Sequence, residues 1–229
     1  MNSLDHIRAQ IDAACHKAGR DPKEVTLLGA SKTVEVERLV PFFEQGLQDF
    51  GENYIQEGIE KVRFFREHNL SATWHFIGSL QSNKAREAVA HFDVIHSLDR
   101  LSLAKELDKE ARKIGKVQRV LIQVNVGHED SKAGAEPDSV ATLLESCRAF
   151  ANLSVEGLMS LPPFSDNPEE TRPFHTQLRQ LREHLATAAQ PLPILSMGMS
   201  RDFEIAIEEG ATHVRIGTAL FGTRSYTSQ

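Results

Sequence analysis

The sequence predicts an α/β protein built as one (β/α)8 TIM barrel with an extra helix at its front, and three observations carry that expectation. Eight short apolar runs of strand length are separated by segments of helical periodicity, the pattern of successive βαβ units around a parallel sheet. The 229 residues lie within the span over which such barrels run as one unit, so a single domain, 1–229, is expected. The rival open sheet usually carries a G-x-G-x-x-G turn after its first strand, and LLGASKTVE in that place does not match.

Leu4, Ile7, Ile11, Ala14 and Cys15 recur at helical spacing and give the leading helix, which stops near Gly19, ahead of Asp21 and Pro22. Strand one is VTLLGASK (25–32), and the helix over 34–45 closes at Gly46, a residue suited to a left-handed cap. Strand two is DFGEN (49–53), with a helix over 55–68. Strand three is WHFIGSL (74–80), with a helix over 83–92. DVIHSLD (93–99) is strand four, followed by a helix over 101–115. VQRVLIQVNV (117–126) is strand five and the strongest β signal in the chain. A loop (127–138) leads into a helix over 139–151. LSVEGLMSL (153–161) is strand six, and a proline-rich loop, PPFSDNPEE (162–170), precedes a long helix over 174–189. PILSMGMS (193–200) is strand seven, with a short helix over 202–210. THVRIGTALFG (212–222) supplies strand eight and a last helical turn.

Forty per cent hydrophobic residues, 25% charged residues and a formal net charge of -6 describe a globular protein with ample length to bury a core. The acidic balance argues against general nucleic-acid binding, which needs a surplus of Lys and Arg on one face. Cys15 and Cys147 lie far apart in helical segments, so neither a disulfide framework nor a thiolate metal site is expected, and a reducing compartment fits. The amphipathic, mixed-charge start lacks the apolar core of a secretory signal, and no run approaches the ~20 apolar residues that span a bilayer. A cytoplasmic monomer that meets no membrane is the expectation.

In a barrel the reactive groups gather at the carboxyl ends of the strands. There Lys32 ends strand one, Asn53 strand two and Ser200 strand seven, while Gly217 and Thr218 follow Arg215 on strand eight. Alternation puts Lys32 on one face with Ala30 and Leu28, Ser200 with Gly198 and Ser196, and Arg215 with Gly217 and His213. Lys32 reads in two ways: a surface lysine whose stem snorkels, or an amine made nucleophilic by desolvation and by a nearby cation such as Arg215, ready to form a Schiff base with a carbonyl compound. SMGMSRDFEIAI places Ser200 at a helix N-cap, and RIGTALFG places Gly217 and Thr218 at the start of a helical turn. Either segment alone is ordinary cap chemistry. Together, on the two strands whose loops often bind phosphate in barrels, they form a phosphate cradle. An amine beside such a cradle suits a phosphorylated aldehyde, either pyridoxal phosphate or a sugar phosphate. An arginine beside a pyridine nitrogen leaves it unprotonated and weakens it as an electron sink.

GASKT around Lys32, FGENYIQE (50–57), WHFIGSLQSNK (74–84), LSMGMSRDFEIAI and VRIGTALFG resemble the pyridoxal-phosphate homeostasis proteins, relatives of the N-terminal barrel of bacterial alanine racemases. The resemblance runs over essentially the whole chain. It implies a fold-type III barrel that binds pyridoxal 5′-phosphate (PLP), with Lys32 carrying the cofactor as a Schiff base and Arg215 facing the pyridine nitrogen. It further implies Ser200, Gly217 and Thr218 on the phosphate, and Asn53 and His75 near the ring. Gly29 stands where many relatives have valine, and SKAG (131–134) replaces the commoner SKSG.

The related racemases place a tyrosine, delivered with a C-terminal β domain, opposite the lysine for two-base proton transfer. Here the only tyrosines are Tyr54, just after strand two, and Tyr226, in the tail, and the sequence stops about ten residues after strand eight. The expectation is a carrier without robust catalysis, which buffers PLP and delivers it to PLP-dependent apoenzymes, with amino acids as further candidate ligands. The alternatives are a PLP-dependent amino-acid racemase and a class I aldolase on a phosphorylated sugar, both acting through Lys32. Lys84 and Lys132 are secondary amine candidates. The histidines give no H-E-x-x-H, His91 and His96 only flank strand four, and no metal site is expected. GTALFGTR lacks the lysine of a nucleotide-binding P-loop. Glu204, Glu208 and Glu209 read as a solvated helix face.

Overall fold

The computed structural model describes residues 2–128 and 133–222. Eight parallel strands close on themselves in sequence order: β1 (Thr26–Ala30), β2 (Asp49–Glu52), β3 (Thr73–Phe76), β4 (Val94–Leu98), β5 (Gln118–Val124), β6 (Leu153–Ser160), β7 (Ile194–Met199) and β8 (His213–Ile216). Closure is direct, with Leu28 of β1 beside Arg215 of β8. A barrel of this kind has no sheet edges and leaves its strands covered on both sides, so most strand residues are buried regardless of alternation.

The helices are α1 (Ser3–Lys17), α2 (Val40–Glu44), α3 (Ile55–Glu67), α4 (Ala85–His91), α5 (Leu101–Lys113), α6 (Pro137–Cys147), α7 (Arg172–Leu185), α8 (Phe203–Glu208) and α9 (Thr218–Phe221). The longer helices that follow strands turn an apolar stripe inward. On α5 the stripe is Leu103, Ala104, Leu107 and Ala111. The main core fills the layer between strands and helices. There Trp74 stacks on Phe50 at 5.4 Å between ring centroids and meets the edge of Phe65 at 5.1 Å. Leading helix α1 lies outside the barrel. Ser3 Oγ donates to the Leu220 carbonyl, and the Arg20 guanidinium donates to the carbonyls of Ile207 and Ala211, which ties α1 to α8 and α9.

Inside the barrel, Val94, Leu121, Met159 and Ile194 form a small apolar cluster separate from the main core. The rest of the interior is unusually polar for a barrel, because Asp49, His75, His96, Ser196 and Arg215 all point inward. The helix expected over 34–45 is interrupted: a single 3-10 turn (Val36–Arg38) precedes the five residues of α2, with Pro41 in its first turn. Among the described residues no helix is long and apolar enough to cross a membrane.

Candidate functional site

A cavity of about 500 Å3 opens where the strands end, a volume typical of small-ligand sites. Its walls bring together Lys32, Asn53, Ser200, Arg215, Gly217 and Thr218 from the ends of β1, β2, β7 and β8.

Lys32 is half-buried two residues beyond β1 and makes no hydrogen bond or ion pair among the described residues. Its backbone, by contrast, is clamped on both sides. The Ser31 N–H donates to the Gly51 carbonyl at 2.9 Å, and the Ser31 carbonyl accepts from Lys61 Nζ at 2.7 Å. Lys61, fully inside the protein on α3, also donates to Glu52 Oε1 at 2.8 Å and to Glu57 Oε1 at 2.6 Å. Glu52 accepts from the Ser31 hydroxyl, and Glu57 accepts from the N–H of Thr33, which sits in the left-handed region at φ 64°. Burial pushes the Glu52 carboxyl above its usual range, and the Lys61 charge opposes that rise. One buried ammonium thus joins two carboxylates that hold the residues on either side of Lys32, and the free amine is presented on a fixed backbone.

At the end of β7 the chain turns sharply. Gly198 has φ +89°, and a Cβ there would lie 2.6 Å from Ala206 Cβ and 3.0 Å from Phe203 Cα, so only glycine lets the strand end rest on α8. Sequence reasoning put Ser200 at the N-cap of this helix. The turn through Ser200 and Arg201 carries the helix start onward, and the N-cap is Asp202. Asp202 accepts from the Met199 N–H at 2.7 Å and from His175 Nε2 at 2.9 Å. Burial works to raise its pKa, but these hydrogen bonds outweigh it and hold the carboxyl below its ordinary value. Ser200 lines the cavity from the turn that Asp202 fixes.

At the end of β8, Gly217 is the N-cap of α9 and Thr218 its first residue, as the sequence predicts. A Cβ on Gly217 would lie 3.1 Å from the Ala30 carbonyl oxygen, which explains the glycine where β8 closes onto β1. The first N–H groups of such a helical turn have no partner within the turn. Arg215 is buried at 4% exposure. Its Nη1 donates to Ser196 Oγ at 2.6 Å and its Nη2 to the Ser160 carbonyl at 2.7 Å. Burial brings its pKa down to about 10, with Asp202 opposing the shift, so it stays charged at neutral pH.

Asn53 lies half-buried on the cavity wall, and His75 does not reach it. The β2–β3 register sets Gly51 beside His75 and Glu52 beside Phe76, so the residue level with Asn53 is Ile77, which lines the wall in its place. His75 sits one layer lower, with Nδ1 on His96 Nε2 at 2.9 Å and Nε2 on Asp49 Oδ1 at 3.0 Å. Lys84 ends a 3-10 turn after β3 and pairs with Glu87 at 3.6 Å, away from the cavity. Tyr54, at 58% exposure, precedes α3 and is also off the wall. Lys132 and Tyr226 lie outside the described residues. Among the described residues no group of three potential metal ligands comes together.

Sequence reasoning missed Arg38 and Arg201, whereas the place of the proline-rich loop after strand six already sets it at the rim of the site. The proline-rich loop after β6 supplies Pro162, Pro163 and Phe164, and Arg38 and Arg201 add two cations. Arg201 lies 5.0 Å over the Phe164 ring. Among the described residues the charged side chains of the wall are Lys32, Arg38, Arg201 and Arg215 against Asp202, a cationic cavity in a chain of net charge -6. That field favours a polyanionic ligand.

A family model described as alanine racemase, N-terminal domain, matches residues 3–225. The chain is 48% identical to the "Pyridoxal phosphate homeostasis protein" of Aquifex aeolicus, over 97% of each chain. It is 46% identical to the protein of that name from Vibrio cholerae, over 99% of this chain and 97% of the other. Among solved structures, PipY of Synechococcus elongatus with PLP bound has a TM-score of 0.81 and 34% identity, covering 93% of this chain and all of that one.

Proposed function

The chain belongs to the pyridoxal phosphate homeostasis proteins, within the alanine racemase N-terminal-domain family, and from that premise we propose that it binds PLP at the cavity and acts as one barrel domain that buffers and delivers the cofactor. One observation carries the reading: a backbone-clamped amine with no partner among the described residues shares a cationic cavity with the ends of β7 and β8. The residues fit the group. On this reading Ser200, Gly217 and Thr218 would take the dianionic phosphate, Arg215 the ring nitrogen and Asn53 the ring edge, a reading supported by their shared place in the cavity wall. Lys32 Nζ would hold the aldehyde that the bound cofactor supplies as a reversible Schiff base, one C=N bond replacing the C=O bond and one water leaving.

Reversibility is what a carrier needs, since hydrolysis returns the free aldehyde to a recipient apoenzyme. A racemase needs a second proton-transferring group facing Lys32. No tyrosine, histidine or glutamate lines the cavity among the described residues, and Asp202 is committed to His175 and the Met199 N–H. The wall is also open enough for exposed Thr218, Arg201 and Phe164 to form part of it, which favours exchange over exclusion of water.

The test is a titration with PLP followed by visible absorbance. Wild type develops a saturable band. Lys32→Ala develops none, yet still binds the cofactor weakly through the phosphate cradle. A band that persists in Lys32→Ala places the amine elsewhere, with Lys84 and Lys132 the first positions to map. Enantiomer interconversion across a panel of amino acids at ordinary enzymatic rates would overturn the carrier reading in favour of a racemase.

A further inference from the structure

The barrel interior holds a continuous chain of side-chain hydrogen bonds that cofactor contact alone does not explain. Arg215 Nη1 donates to Ser196 Oγ at 2.6 Å, Ser196 Oγ meets His96 Nδ1 at 3.0 Å, His96 Nε2 meets His75 Nδ1 at 2.9 Å, and His75 Nε2 meets Asp49 Oδ1 at 3.0 Å. Five strands contribute, β8, β7, β4, β3 and β2 in that order. Ser196, His96, His75 and Arg215 are buried. Asp49, the first residue of β2, reaches solvent with 24% of its side chain at the amino end of the barrel, opposite the cavity.

With both rings neutral, the carboxylate end fixes every proton between them. A guanidinium has donors only, so Ser196 accepts from Arg215 through one lone pair and keeps its own hydrogen for His96 Nδ1. His96 then carries its proton on Nε2 and gives it to His75 Nδ1. His75 in turn carries its proton on Nε2 and gives it to the carboxylate, which only accepts. A neutral His96 is also what its surroundings favour. Burial first, then the neighbouring His75, His213, Arg215 and Arg119, hold its pKa well below the ordinary imidazole value.

Resting on the cofactor reading, we propose that Ser196, His96, His75 and Asp49 are positioning residues that fix Arg215 and link its charge, through one unidirectional hydrogen-bond chain, to the carboxylate at the far end of the barrel. The cation at the cavity floor and its counter-charge are thereby separated by three neutral groups. The field that Arg215 presents to a bound ring depends on whether the chain is intact.

The other groups that face this chain are His213, whose ring lies 6.1 Å from that of His75, Arg119, which is paired to Glu156, and Asp202, which acts on Arg215. On the cavity side they are Lys32, Arg38 and Arg201. None of them substitutes for a link, since none bonds to Ser196, His96 or the His75 ring nitrogens.

Two measurements test the proposal. Nitrogen-15 NMR of the histidine side chains in the cofactor-free protein at neutral pH reads the tautomers directly. His75 and His96 should both be neutral, with the hydrogen on Nε2. A hydrogen on Nδ1 of either ring, or an imidazolium, overturns the chain whatever the cofactor does. The second measurement is the pH midpoint of the visible band of bound PLP in Asp49→Asn, Ser196→Ala and the double variant. Cutting either end withdraws negative counter-charge from the cavity and disfavours its cationic forms. Each single variant should therefore lower the midpoint by about half a unit or more, about a threefold change in the protonation constant. The double variant should shift it no further, and Ser196→Thr, which keeps the hydroxyl, should restore it. Unchanged midpoints with lowered melting temperatures, or fully additive shifts, would make the network structural only and refute the positioning role. A wild-type protein that shows no band refutes the cofactor reading, and the tautomers alone then decide the chain.

Discussion

Replacing Lys61 by methionine removes the ammonium that joins Glu52, Glu57 and the Ser31 carbonyl while keeping the apolar stem of the side chain. In the wild type the Lys61 side chain is 4% exposed and that of Glu52 is fully buried, so the substitution strands a carboxylate inside the protein. Breaking a buried pair by removing one partner costs about 3–5 kcal/mol. In a chain of this size each kcal/mol moves Tm by roughly 2–4 °C, so Lys61→Met should melt about 6–20 °C below wild type at pH 7. The pH dependence is part of the prediction. Burial already raises the folded-state pKa of Glu52, and without Lys61 to oppose it the rise is larger. A group whose folded pKa lies above its unfolded value gives up stability as pH rises through the folded pKa. The deficit of Lys61→Met should therefore shrink toward pH 5 and widen toward pH 8, and adding Glu52→Gln should recover part of it at pH 7. Circular-dichroism melts of the three proteins across that range are the assay. A Lys61→Met protein within about 2 °C of wild type at pH 7, or a deficit independent of pH, would refute the reasoning.

Two glycines with similar burial should respond differently to alanine. At Gly157 the added Cβ would lie 1.9 Å from the backbone oxygen of Ile194, so Gly157→Ala should lower Tm sharply or prevent folding, whereas at Gly29 its nearest neighbours are the side-chain tips of Leu47, Phe221 and Leu220 at 2.9, 3.0 and 3.4 Å, and the change should cost less than about 1.5 kcal/mol by urea titration. His213 has its pKa lowered to about 4, by burial first and then by His75, so the unfolded chain binds the extra proton between about pH 6.5 and 4 and stability falls with acid across that window. His213→Gln should flatten that slope in acid titrations followed by tryptophan fluorescence, and an unchanged slope would remove His213 as its source. Gly198→Ala, strained at φ +89° and crowded by Ala206, should weaken phosphate binding more than Gly29→Ala does, measured by competition of inorganic phosphate with PLP.

The fold was legible because each of the eight strands is a short apolar run bounded by helical periodicity. What the sequence left open follows from the same logic. A strand buried on both faces does not show which residue lies level with which neighbour, so His75 was read at the cavity while the β2–β3 register puts Ile77 there. The N-cap of α8 was put two residues early, at Ser200, because a turn through Ser200 and Arg201 intervenes between the positive-φ Gly198 and Asp202. Lys61 did leave a signal. It falls on the apolar face of α3 with Gly58, Val62 and Phe65, four residues after Glu57, and a lysine at such a position needs a buried partner. Arg38 and Arg201 reach the cavity only through chain reversals that carry no periodic pattern, whereas the proline-rich loop follows a strand end and falls at the rim for that reason. The hydrogen-bond chain from Arg215 to Asp49 draws on five strands and depends on their registers.

The central claim, that Lys32 holds the cofactor's aldehyde within the cationic cavity, is tested most directly by borohydride reduction of the PLP-loaded protein followed by peptide mass mapping. A single pyridoxyl group is expected on the peptide that contains Lys32, lost when inorganic phosphate in excess competes during loading. A label on another lysine, or no covalent label from a protein that binds PLP stoichiometrically, would contradict it.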